Sequence, residues 1–248
     1  MLSYLGTIKF GGNRMRSLFR GVIVTAVAAT ILTGCGESST SSTVTSNSSV
    51  DEKAKQEAEV KAKAEEEAKA KADAEEAKKK AAEEAKKKAE LEKSKYALLA
   101  QLTIPNVAEG VKLQDQTYQF IIANHTLFPA KDAQQVKIAK GKVDGKIKYG
   151  HLEKNINPYL NKMIVATGSV VNVEEQPTDG GETVALVHII DNSFNSYRML
   201  IYKSTGDILK EDTVKIIGVP VGQESFSNIS GGTTRSIFVF GSHIEKVQ

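Results

Sequence analysis

The chain has 248 residues, 33 of them Lys or Arg and 30 Asp or Glu, for a formal net charge of +3, with one cysteine, four histidines and no tryptophan. A lone cysteine excludes an internal disulfide and a zinc site built from several thiolates. A charge this close to balance excludes the broad basic field of a nucleic-acid-coating protein.

In chain order, Lys9, Arg14, Arg16 and Arg20 precede a nearly unbroken apolar run over residues 21–32, and small residues follow it. That is the pattern of a secretory signal, with Met1 or Met15 as its start. As a helix the run spans only ~18 Å, short of a ~30 Å hydrocarbon core, so an uncleaved anchor is disfavoured. Leu32-Thr33-Gly34-Cys35 closes the run and resembles the lipobox of bacterial lipoproteins. The resemblance implies a signal peptide over 1–34, cleavage between Gly34 and Cys35, and a diacylglycerol on the Cys35 thiol as the only attached group. The protein would then sit at the outer face of the cell membrane, anchored without spanning it. Removing the signal takes four basic residues and no acidic ones, leaving a nearly neutral chain.

Residues 35–50 are mostly Ser, Thr and small residues, a composition that buries nothing and reads as a flexible linker. Residues 51–98 are dominated by Ala, Glu and Lys, without Pro or Gly, and predict a continuous helix. Its charges fall in acid-first i,i+4 pairs such as Glu75 with Lys79 and Glu76 with Lys80. Alanines at 70, 74, 77, 81, 85 and 89 make a narrow stripe, but a stable coiled coil needs larger apolar residues at those positions. A solvated spacer is the expectation, and a weak alanine seam or a partner-binding helix the alternative.

Residues 99–147 read as a small helical region. Tyr118, Ile121, Ile122 and His125 share one face of a short helix that ends before Phe128-Pro129, and a polar helix follows over 132–140. From residue 163 the apolar period changes to two. Strands are predicted over 163–174, 183–190, 196–203, 213–219 and 236–244, separated by turn clusters such as Pro177-Thr178-Asp179-Gly180-Gly181 and Asp191-Asn192-Ser193-Phe194-Asn195. Gly168 interrupts the first strand and predicts a bulge or sharp bend. The fold class expected is α+β: a long solvated helix, a small helical region, and a five-stranded barrel of OB type over 148–248.

Asn157-Pro158-Tyr159-Leu160-Asn161-Lys162 leading to Thr167-Gly168-Ser169-Val170, then Gly206-Asp207-Ile208-Leu209-Lys210-Glu211-Asp212-Thr213-Val214 with Gly218, and finally Ser230-Gly231-Gly232-Thr233, resemble the tRNA-anticodon-binding-like OB domains found in lipoproteins of Gram-positive bacteria. The resemblance covers residues 148–248. Its motifs are folding signals, so it implies a fold rather than an activity.

OB barrels often bind oligonucleotides or oligosaccharides across strands 2 and 3. Phe194, Tyr197, Arg198 and Tyr202 fall there and are the candidate ligand platform, although strand aromatics more commonly pack. Against nucleic acid stands the balance of 15 basic and 15 acidic residues from Tyr96 onward. His125, His151, His188 and His243 lack metal-ligand spacing, no nucleophile elbow is present, and Gly231-Gly232 leads into a strand rather than a phosphate-cradling helix. No catalytic residue, metal or soluble cofactor is therefore expected. The expected function is a membrane-tethered binding module for protein or cell-envelope recognition, in sensing, adhesion or surface exclusion. Oligonucleotide or glycan binding by the barrel is the alternative.

Overall fold

The computed structural model describes residues 51–178, 180–227 and 231–247. The signal-like segment 1–34, the lipidation position Cys35 and the linker to residue 50 lie outside the described residues.

Helix α1 runs Asp51–Val107. Two compact units share it, the boundary falling between Ala85 and Lys86. In the first unit the helix carries the expected pairs, Glu75 to Lys79 at 3.1 Å and Glu76 to Lys80 at 2.7 Å, all four side chains well exposed. Each such pair contributes a few tenths of a kcal/mol, so the helix there rests chiefly on the propensity of Ala, Glu and Lys.

In the second unit α1 departs from the sequence expectation. It does not end near residue 98 but continues through Pro105 to Val107. Its final turns are not solvated, because Tyr96, Ala97, Ala100 and Ile104 form a buried stripe at helical spacing. Pro105 removes only one intrahelical hydrogen bond this close to the end. After Gly110, in the left-handed region at φ 76°, come α2 (Asp115–Ala123), a 3-10 turn (His125–Leu127), α3 (Ala133–Gly141) and α4 (Tyr149–Lys154). Asp132 caps α3, its carboxylate accepting from the Gln135 amide at 2.8 Å.

The strands are β1 (Ile164–Pro177), β2 (Thr183–Ile190), β3 (Ser196–Ile201), β4 (Thr213–Ser227) and β5 (Thr233–Lys246). They close into a barrel in the order β1-β2-β3-β5-β4, antiparallel throughout except for the β3–β5 pair. That five-stranded Greek-key barrel is an OB fold. Strand β4 runs eight residues past the expected end. Beyond Gly218 it pairs with β5 alone, so Pro220 sits on an edge where its missing N–H breaks no ladder.

Strand β1 changes partner midway, pairing with β4 from Ile164 to Ser169 and with β2 from Ser169 to Pro177. Gly168 lies at this change. A Cβ there would collide with the Ile190 carbonyl and stand 2.9 Å from the Asp191 nitrogen. The strand changes partner next to the glycine, but the register irregularity falls between Val170 and Asn172. Close backbone approach, not a bulge at the glycine itself, requires Gly168.

Two cores result. Inside the barrel Ala185, Val187 and Ile189 of β2 meet Tyr197, Met199 and Ile201 of β3, with Leu152 of α4 packed among them. Outside it, Val184, Leu186, Leu200, Tyr202, Phe238 and Phe240 pack under α1 and the α2 region. The central strands are thus buried on both faces, which accounts for their nearly continuous apolar sequence.

Candidate functional site

The surface that OB barrels commonly offer to ligands, the outer face of β2 and β3, is covered here by the end of α1. The Tyr202 hydroxyl shares a 2.6 Å hydrogen bond with the Thr103 hydroxyl and donates to the Leu99 carbonyl at 3.3 Å. Burial pushes the Tyr202 phenol up to about 12, so it stays a neutral donor. One turn earlier, the Tyr96 hydroxyl and the Lys95 ammonium donate to Glu182 at 2.6 and 3.0 Å, fastening α1 to the β1–β2 connection.

At the C-terminal end of α1, Arg198 joins three elements. Its guanidinium donates to the Glu224 carboxylate at 2.7 Å and to the Val107 carbonyl at 3.1 Å, and lies 5.3 Å from the Phe226 ring centroid. The Glu224 side chain is only 2% exposed, and its second oxygen has no hydrogen-bond partner. Beside it, His188 Nε2 is 2.8 Å from the Ser196 hydroxyl and the imidazole meets Phe226 edge-on.

The four residues of the expected platform are therefore not brought onto one surface. Phe194 is 89% exposed on the β2–β3 turn, at φ 61°. Tyr197 points into the barrel and meets Tyr149 edge-on at 5.4 Å. Arg198 is ion-paired, and Tyr202 lies beneath α1. The sequence reading missed Thr103, Tyr149 and Glu224; for Glu224 the available signal was a lone acid beside a long apolar strand.

Glu224 and His188 make the cluster sensitive to pH in opposite directions. Burial, only partly offset by Arg198, raises the Glu224 carboxyl to about 7. Between about pH 4.5 and 7 the folded chain holds a proton that the unfolded chain has released, so this group lowers stability as pH rises. Burial and the Arg198 charge hold the His188 imidazole down at about 4. Between about pH 4 and 6.5 the unfolded chain takes a proton that the folded chain refuses, so this group lowers stability as pH falls. Where the windows overlap the slopes of these two groups oppose and largely cancel. Glu224→Gln should leave the His188 slope alone, with a midpoint that climbs from about pH 4.5 to 6.5. A variant whose midpoint stays flat or falls over that range would contradict these environments.

Two concavities flank Tyr149. The larger, about 380 Å³, is lined by Lys148, Tyr149, Thr167, Asp191, Asn195 and Tyr197 among others. The smaller, about 230 Å³, lies against Glu153, Gln223 and Arg235. Among the described residues no group of three or more His, Cys, Asp or Glu is placed to hold a metal ion. The four histidines are used separately: His125 contacts the Ile122 carbonyl, His151 accepts from the Lys148 amide, His188 pairs with Ser196 and His243 with Glu245.

No protein-family model and no curated protein matches the chain. Among solved structures it is similar to a small single-stranded DNA-binding protein from Streptomyces coelicolor, at 15% identity and a TM-score of 0.25 over 34% of this chain and 93% of that one. It is also similar to the mitochondrial single-stranded DNA-binding protein Rim1 of S. cerevisiae, at 10% identity and a TM-score of 0.24 over 35% of this chain and 95% of that one. At these values the likeness carries nothing about ligand; the OB assignment rests on the strand order of the barrel itself.

Proposed function

We propose that this chain is a lipid-anchored protein at the outer face of a bacterial cell membrane, of the kind found in Gram-positive lipoproteins. Its OB barrel serves protein or cell-envelope recognition rather than catalysis. The observation that carries the recognition role is the closure of the outer β2–β3 face by residues 96–107 of the same chain. A single strand of nucleic acid needs an open, basic track with stacking rings. Here Tyr202 is bonded to Thr103, the Arg198 guanidinium is held by Glu224 and the Val107 carbonyl, and the charges from Tyr96 onward balance. Contact with a ligand is left to the barrel ends and loops. The anchor is inferred from the basic and apolar segment that ends at Cys35, and among the described residues no helix is long and apolar enough to cross a membrane.

The anchor is tested by fractionating cells that express Cys35→Ala. The variant is expected to leave the membrane fraction or to accumulate as a longer precursor. A membrane-bound variant of normal mature size would refute lipidation. Recognition without nucleic acid is tested by titrating the protein with a short oligothymidylate at low and high salt. No binding is expected; an affinity that falls steeply with salt would favour the oligonucleotide reading instead.

A further inference from the structure

The 380 Å³ cavity at the β2–β3 turn end of the barrel falls at the small end of the ~300–1,000 Å³ range of small-ligand sites. It lies apart from the face that α1 covers, where the barrel core opens at Tyr149 and Tyr197. Tyr149 and Tyr197 meet edge to face at its wall, with Tyr197 buried and the half-buried Tyr149 offering ring surface. The Tyr197 hydroxyl has no hydrogen-bond partner among the described residues, and the Lys148 ammonium forms no ion pair there. Thr167 and Ser193 add hydroxyls, and Asn195 an amide whose nitrogen already donates to Asp191 at 2.9 Å.

The rim holds a second, independent feature. Phe194 sits between two lining residues, Ser193 and Asn195, and is 89% exposed at φ 61°. A bulky residue rarely adopts the left-handed region, and such outliers concentrate at ligand clamps. The turn is built to hold it: the Asp191 carboxylate accepts from the Ser193 and Asn195 amides at 2.8 and 2.9 Å, and the Phe194 amide donates to the Asp191 carbonyl at 2.9 Å. The result is an aromatic ring displayed to solvent beside a polar, ring-lined cavity.

We propose that this cavity binds a neutral sugar, one or two rings of an acetamido glycan, with Phe194 as the rim platform. Sugar C–H bonds carry slight positive charge and pack on the negative faces of aromatic rings. The hydroxyls and acetamido group of the sugar take up the Lys148, Thr167, Ser193, Asn195 and Tyr197 groups. Charge favours this class over a phosphate-bearing one, since Lys148 is offset by Asp191 in the same lining. The inference deepens the cell-envelope side of the proposed recognition role and rests on it.

The test is calorimetric titration of the full-length chain, in a non-glycosidic detergent, with N,N′-diacetylchitobiose and with short oligothymidylate. The disaccharide is expected to bind at one site, and Phe194→Ala and Lys148→Ala each to weaken it about tenfold or more, a loss of the size that one stacked ring or charged hydrogen bond supplies. Leu209→Ala, exposed on the β3–β4 connection, should leave it unchanged. No disaccharide binding, or equal binding by Phe194→Ala, overturns the sugar site. If that occurs with no binding of oligothymidylate and with Cys35-dependent membrane attachment intact, the recognition proposal stands without it. Oligothymidylate binding that Phe194→Ala abolishes would overturn both.

Discussion

Replacing Arg198 with methionine is expected to lower the unfolding free energy by about 3 kcal/mol above the Glu224 pKa, because breaking a buried pair from one side leaves an uncompensated carboxylate. The substitution also removes the donor from the Val107 carbonyl and the cation from Phe226. Burial sets the size of the effect, since the two side chains are 18% and 2% exposed. Below about pH 5 the folded Glu224 is neutral with or without Arg198, and the loss should shrink to that of the Val107 bond and the packing, about 1 to 2 kcal/mol. Urea unfolding of the two proteins at each pH checks this. An equal loss at both pH values would mean that the pair is not buried as described.

Gly168→Val is expected to destabilise the barrel by about 3 kcal/mol, the upper end of ordinary overpacking, although valine has the better strand propensity. The added Cβ meets backbone, the Ile190 carbonyl and the Asp191 nitrogen, rather than a side chain that can rotate away. Relief would require opening the contact between β1 and the end of β2 at the point where β1 changes partner. Urea melts would show a lowered midpoint, and Gly168→Ala should show most of the same loss, since the first carbon does the damage. A neutral Gly168→Val would contradict the close approach at this bend.

The barrel was legible because its strands and turns signal locally. Period-two runs, the Asp191 to Asn195 turn and a glycine inside the first strand locate the elements, and the OB order follows from them. The covered face was less legible. Its sign was present in Val184-Ala185-Leu186-Val187 and Ile237-Phe238-Val239-Phe240, which do not alternate as half-exposed strands should. Reading those runs as strands left open what buried their second face. The answer lay in Tyr96, Ala97, Ala100 and Ile104, which continue the helical period past the end of the charged segment. Composition changes there while periodicity does not, and composition set the expected boundary. The aromatic platform failed for the same reason: Tyr197 and Tyr202 lie on opposite faces of the sheet, and only knowledge of the docked helix shows that the outward one is occupied. The end of β4 was misjudged because Pro220 and Gly222 resemble a stop, whereas an unpaired edge tolerates both.

The central claim is that residues 96–107 of α1 form part of the folded barrel and close its β2–β3 face. Amide hydrogen exchange on the full-length chain tests it most directly, because residues 75–85 provide an exposed stretch of the same helix. Amides of residues 97–104 should exchange only with global unfolding, at the rate of the central amides of β2 and β3, while those of 75–85 exchange far faster through local opening. Exchange of residues 97–104 as fast as that of 75–85, with β2 and β3 still protected, would contradict the claim and return the outer face of the barrel to solvent.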